Sequence, residues 1–287
     1  MEAGEFDSRN AAAGEGCGVE LVDCHSHTYL SGHGEGTVAQ LVDEARKRGI
    51  KTLAITEHMV LPASVDPNCD FSIPESEVEG YLAQIHEADA AFDDIEVVAG
   101  FEADWRPGCE DFIIEHTCGV PVLLGSVHML GDGWCFDDPA HIDGWNERGV
   151  DDVWGEYFDL WMEACASKVP FTTMSHPDLP KKFGFMPTPA FALKSTYKEA
   201  AALAAEKGRM VEVNTSGWTR DVAEQFPSVD FLREFRLAGV DCTVGADAHT
   251  PGRVGDRIAD AYEVMRQAGY DRVAVPTSDG GRRYIGL

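Results

Sequence analysis

Seven of the chain's ten histidines fall in short clusters with Asp or Glu. These are Asp23-Cys24-His25-Ser26-His27 with His33 just beyond, Thr56-Glu57-His58, Gly125-Ser126-Val127-His128, Ser175-His176-Pro177-Asp178 and Asp247-Ala248-His249. Two further clusters, Glu102-Ala103-Asp104 and Glu212-Val213-Asn214, bring carboxylates alone. Imidazole and carboxylate together form the ligand set of divalent cations that accept both nitrogen and oxygen. His25 and His27, and again Asp247 and His249, stand at i and i+2, a spacing that turns both side chains to one side of an extended strand. A set this large can hold three or more ions. His86, His116 and His141 lie outside the clusters and read as core or surface residues.

Each cluster closes or follows a short apolar, turn-bounded run. The runs are Glu20–His27, Lys51–His58, Ile95–Trp105, Pro121–Leu130, Pro170–Pro177, Arg209–Thr215 and Asp241–His249, and each reads as a buried strand. Between them lie helical segments, Thr37–Gly49, Pro74–Phe92, Asp151–Lys168, Pro189–Gly208, Val229–Gly239 and Gly252–Gly269, with a short one near Glu110–Cys118. Strand and helix in alternation mean parallel strands joined by crossovers, and seven such units suit a closed α/β barrel. An open doubly wound sheet is the alternative. In a barrel every strand opens its C-terminal end on one face, so the clusters converge there. The poorly patterned stretch Gly131–Val150 follows the fourth strand and should lie over that face.

With 287 residues, 44% of them hydrophobic, the chain can bury one substantial core, and no apolar run is long enough for a membrane helix. Setting 50 acidic residues against 23 basic ones gives a formal charge of −27, which repels phosphate backbones and argues against nucleic-acid binding. Residues 1–18 lack the basic start and apolar core of a secretory signal and read as a mobile tail, leaving 19–287 as the folded domain. Eight cysteines without a Cys-x-x-Cys pair suit reduced thiols in the cytoplasm. Cys24 alternates with Asp23 and His25 and so reads as a packing residue.

All seven motifs, in order across about residues 20–255, closely resemble the polymerase and histidinol phosphatase (PHP) superfamily. Within it, Gly125–Pro139 and His176–Gly184 resemble the histidinol-phosphatase branch. The resemblance implies a distorted (β/α)7 TIM-like barrel with three divalent metal ions, drawn from zinc, iron and manganese, at the C-terminal ends of the strands. Carried over by position, His25, His27, Glu102 and Asp247 would hold the first ion. Glu102 as a bridge, with His128 and His176, would hold the second, and His33, His58 and His249 the third. Glu57 stands where relatives often carry Asp and reads as a carboxylate standing behind the ligands or lining the site.

Such a centre lowers the pKa of a bridging water and clamps phosphoryl oxygens, so a hydroxide rather than a side chain is the expected nucleophile. Glu102, Asp247 and His249 are the expected catalytic groups. Arg220, Arg253, Lys181 and Lys182 are the candidate phosphate-binding cations, close to strand-end loops. Asp104, Glu57, Asp137, Trp134 and Trp218 are candidates for the remainder of the pocket. The expected reaction is hydrolysis of L-histidinol phosphate, a small-molecule phosphate ester, in histidine biosynthesis. The alternatives are a related hydrolase acting on nucleotides or phosphodiesters, and a catalytically silent metal-binding module.

Overall fold

The computed structural model describes residues 18–117 and 119–287, so the expected tail, apart from Gly18, and the thiols of Cys17 and Cys118 lie outside it. Seven strands form one sheet in sequential order: Leu21–Asp23 (β1), Ile50–His58 (β2), Glu96–Asp104 (β3), Val122–Ser126 (β4), Thr173–Met174 (β5), Met210–Asn214 (β6) and Cys242–Gly245 (β7). All their pairings are parallel. β1 and β7 then meet edge to edge. Cys24 N donates to Val244 O at 2.9 Å, Asp247 N to His25 O at 2.8 Å and His27 N to Ala248 O at 2.8 Å. These bonds close the barrel with a seam of irregular backbone.

Around it lie Val38–Lys47 (α1), Val78–Ala91 (α2), Glu110–His116 (α3), Gly144–Arg148 (α4), Val150–Ala166 (α5), Leu193–Lys207 (α6), Val229–Ala238 (α7) and Ile258–Ala268 (α8). α1 shows how the sequence sets an element. Thr37 and Gln40 form a reciprocal capping box at its start, and Val38, Leu41, Val42 and Ala45 make its buried stripe. α6 ends at Gly208 with φ 66°, a left-handed conformation that favours glycine. Trp154, Tyr157, Phe158 and Trp161 of α5 are buried, and Phe158 and Trp161 pack on Phe231 of α7, itself stacked 4.1 Å from Tyr197 of α6.

Four features differ from the sequence reading. Residues Arg272–Pro276 (β8) and Arg282–Gly286 (β9) form an antiparallel hairpin after α8 that the strand count omits. β1, β5 and β7 are shorter than their apolar runs, because the chain leaves the ladder where the histidines begin. Asp247 adopts a left-handed φ of 52°, so a turn, rather than an extended strand, sets it beside His249. α8 starts at Ile258 because Gly255 N is held by Asp23 Oδ2 at 2.7 Å, after a short 3-10 turn at Pro251–Arg253. The stretch after β4 is folded around buried Trp145, whose ring stacks 4.7 Å from Phe185 and whose Nε1 donates to Phe136 O at 2.8 Å. No helix among the described residues is long and apolar enough to cross a membrane.

Candidate metal centre

The seven clustered histidines converge with Glu102 and Asp247 at the C-terminal mouth of the barrel. Glu102, at the end of β3, lies at the middle of the group. Its Oε2 is 3.3 Å from His25 Nε2, 3.4 Å from His27 Nε2 and 3.2 Å from His58 Nδ1. Its Oε1 is 2.8 Å from His176 Nε2 and 3.7 Å from His128 Nε2. Asp247 Oδ1 stands 3.4 Å from His27 Nε2 and 3.8 Å from His25 Nε2. Three sets of potential ligand atoms fall within reach of a common ion: His25, His27 and Asp247; Glu102, His128 and His176; and His27, His58 and His249. His33 joins the third set through its Nε2, 3.0 Å from His249 Nε2.

Carboxylates behind the histidines orient their rings. His25 Nδ1 lies 3.0 Å from Glu212 Oε1, and His128 Nδ1 lies 3.0 Å from Asp104 Oδ1. His27 Nδ1 is 3.6 Å from Glu57 Oε1, while the other Glu57 oxygen accepts from Thr28 N at 2.9 Å and from the Thr28 hydroxyl. A ring held at one nitrogen presents the other to an ion, which fixes both tautomer and direction. Gly245 permits this crowding, since a Cβ there would stand 2.4 Å from His25 Cβ. Left-handed backbone at His176 (φ 24°), Asp178 (φ 64°) and Asp247 (φ 52°) concentrates strain at the same place.

The donor set fits divalent cations on two counts. His25 Nε2 and both ring nitrogens of His27 are buried without a hydrogen-bond partner, an arrangement that is costly unless an ion satisfies them. The field is also that of a cation trap. Burial raises the Glu102 carboxyl, but the imidazoles of His25, His58 and His128 outweigh it and hold the group well below the usual carboxylate range. Burial opposes charge on His128, yet Asp104 and Glu102 lift it to about 10. Burial and the nearby His27 pull His249 down to about 3, leaving a neutral imidazole. Ligand binding by imidazole requires the unprotonated ring, so a metal bound here would take the place of the protons this field attracts.

A cavity of about 410 Å³ opens over the cluster. Arg220 and Lys182 line it, whereas Lys181 and Arg253 do not. Lys182 Nζ donates to Asp137 O at 2.7 Å and to Asp137 Oδ2 at 2.9 Å. Lys181 turns inward instead, only 1% exposed, with its Nζ 2.7 Å from Glu224 Oε2 and 3.3 Å from Asp178 Oδ2. Arg253 pairs with Asp256 at 3.0 Å. Asp104 and Asp137 line the cavity as expected of pocket residues, and Glu57, Trp134 and Trp218 do not. Trp134 lies under Arg148, 4.5 Å from ring centre to guanidinium, and Trp218 under Arg257 at 4.2 Å. Phe71, Met129, Leu179 and Phe226 supply the apolar wall in their place. Cys135, Asp137, Asp138 and Pro139 of the loop after β4 also line the cavity, as its position over the strand ends requires. Cys24 is a buried, unpaired thiol in the core, as alternation requires.

Comparison with known proteins gives a consistent picture. A probable histidinol-phosphatase of Deinococcus radiodurans is 35% identical over 254 residues, covering 87% of this chain and 94% of that relative. The histidinol-phosphatase of Lactococcus lactis is 24% identical over 265 residues, covering 89% of this chain and 94% of the relative. The crystal structure of a Lactococcus lactis histidinol phosphate phosphatase complexed with zinc, L-histidinol and phosphate superposes with a TM-score of 0.73 at 22% identity, covering 92% of this chain and 99% of that one. The PHP domain model matches residues 23–216. From the first seam histidines through the sixth strand, then, the motifs and the barrel agree, and the chain belongs to the PHP domain family.

Proposed function

We propose that this protein is a metal-dependent phosphomonoesterase that hydrolyses L-histidinol phosphate to L-histidinol and phosphate. The observation that carries this reading is the cluster of seven imidazoles and two carboxylates at the floor of a cavity with Arg220 on its wall, in a chain 35% identical to a probable histidinol-phosphatase. His25, His27, Glu102 and Asp247 are assigned to one ion, Glu102, His128 and His176 to a second, and His33, His58 and His249 to a third, each of them zinc, iron or manganese. Bound there, the ions supply activated water and the positive charge that phosphoryl transfer demands.

The chain's own residues do the rest. Arg220 has no ion-pair partner among the described residues, so its guanidinium is available to phosphate oxygens. Lys182 has three donors and gives its Nζ to two Asp137 oxygens, so one N–H remains for the substrate. Asp247 and His249 line the cavity, and both are held unprotonated, which suits them to ligate an ion and leaves protonation of the departing oxygen to water. Phe71 on the same wall offers its ring to the substrate's imidazole. An enzyme of amino-acid biosynthesis with this substrate would act in the cytoplasm.

The test is phosphate release from L-histidinol phosphate by protein purified without chelator, beside a panel of nucleotides, phosphodiesters and sugar phosphates, with metal content measured on the same sample. Strong preference for histidinol phosphate is expected. A metal-loaded protein that prefers a nucleotide or phosphodiester would overturn the substrate assignment.

A further inference from the structure

Beside the metal cavity lies a second one, of about 310 Å³, within the size range of small-molecule sites. Arg106, Ser64 and His141 form part of its wall, and it shares Phe71, Met129, Cys135 and Asp138 with the metal cavity. Arg106 is the unusual member. The protein carries 50 acidic residues, and other arginines pair with them: Arg46 with Asp94, Arg148 with Asp132, Arg253 with Asp256. The Arg106 guanidinium has no ion-pair partner among the described residues, and its Nε is buried with no hydrogen-bond partner. A buried donor left without a partner is destabilising, and an oxyanion is the partner that fits a guanidinium best.

The chain path explains why this cation stands where it does. The extended backbone of β3 continues past Asp104, since Trp105 N still donates to Ser126 O at 2.7 Å. Alternate residues of an extended chain face one way, so Glu102, Asp104 and Arg106 form one row. At about 3.3 Å per residue the row spans about 13 Å, from the metal cluster through the carboxylate behind His128 to Arg106. Arg106 does not line the metal cavity, and none of the clustered histidines, Glu102 or Asp247 lines the second one. Asp138, the carboxylate in the wall of the second cavity, is engaged elsewhere: its Oδ1 accepts from Ala140 N at 2.8 Å and its Oδ2 lies 3.8 Å from His141 Nδ1.

We propose that this second cavity binds a small oxyanion, a carboxylate or a phosphate, with Arg106 as its cation and Ser64 and His141 as further donors. The site is separate from the metal cluster and does not depend on which ester the cluster hydrolyses.

Calorimetric titration of the metal-loaded full chain with inorganic phosphate, and separately with acetate, tests this. At least one anion should show a saturable site that Arg106→Gln weakens about tenfold or more, the loss expected for a charge-assisted hydrogen bond, with metal content unchanged. Phosphate alone binding there identifies a phosphate site, and acetate alone a carboxylate site. A second measurement needs no variant: phenylglyoxal labelling of the wild-type protein, read at Arg106 by peptide mass, should slow in the presence of the bound anion. Identical titrations for wild type and a folded Arg106→Gln, or Arg106 labelling that neither anion changes, would overturn the proposal.

Discussion

Glu212 lies 3.0 Å from Nδ1 of His25, and the opposite nitrogen of that ring is thereby turned to within 3.3 Å of Glu102 Oε2. The same Glu212 oxygen accepts from His176 N at 2.8 Å and from Asn214 Nδ2 at 2.9 Å, so one carboxylate positions two of the proposed ligands. Glu212→Gln preserves the shape and removes the charge. It should lower metal affinity or activity by about 10- to 100-fold, as losses behind a ligand typically do. Competition with a graded chelator measures this, and wild-type affinity in the variant would deny Glu212 that role.

His33 comes from the loop after β1, where its Nδ1 lies 2.9 Å from Ser31 O and its Nε2 faces His249. His33→Ala should cost the protein one ion per chain and spare the others, because the remaining sets do not include it. Elemental analysis after desalting decides the matter, since full metal content would remove His33 from the ligand set.

Arg220 is the cavity cation without a competing carboxylate. Arg220→Met should reduce kcat/KM for the phosphate ester by about 10- to 100-fold, the worth of one or two charge-assisted hydrogen bonds. Metal content should stay unchanged. Steady-state kinetics on the metal-replete variant checks both halves, and an unaffected kcat/KM would dismiss Arg220 as a phosphate ligand.

Lys181 contributes to stability rather than to binding. Its ammonium is enclosed beside Asp178, whose carboxyl burial raises to about 6 even though Lys181 pulls it back. Lys181→Met leaves that carboxylate uncompensated and should cost about 3–5 kcal/mol of folding free energy. Urea denaturation followed by fluorescence reads the loss, and a shift near zero would mean that solvent already reaches the pair.

Burial pushes the thiols of Cys24 and Cys165 up to about 12, and that of Cys242 higher than its ordinary value as well. A raised thiol pKa favours the neutral form, so at pH 8 only about one in ten thousand of these groups at pKa 12 is thiolate, and reactivity returns only as pH climbs towards the raised value. Iodoacetamide at pH 8 should leave all three unmodified in the native protein and label them in urea. Native-state labelling of Cys24, found by peptide mapping, would contradict its place in the core.

The strand-end histidines were legible because a parallel barrel gathers all its C-terminal ends, whatever their separation in sequence. What lay between them was less so. Lys181 and Lys182 are adjacent and chemically alike, and only the 3-10 turn at Leu179–Phe183 decides that one faces Asp178 and the other Asp137. Trp134 and Trp218 look like stacking residues in a list of aromatics, yet each is engaged by an arginine from its own surroundings. Glu212 could be seen as a carboxylate near a strand end, but not that it grips His25 across the barrel, because that contact spans 187 positions. The terminal hairpin left a signal, the Thr277-Ser278-Asp279-Gly280-Gly281 turn between two short runs, that alternation of strand and helix overshadowed.

The seam between β1 and β7 has a consequence for how the protein comes into being. On one side of it stand His25, His27 and His33, and on the other Asp247 and His249, with 216 positions between His33 and the imidazole it faces. During synthesis the first half of the proposed cage waits, unable to enclose an ion, until the seventh strand has also left the ribosome. An ion held there would reinforce the backbone bonds that join the first strand to the seventh, so a chain interrupted anywhere before the seventh strand should emerge both unclosed and metal-poor.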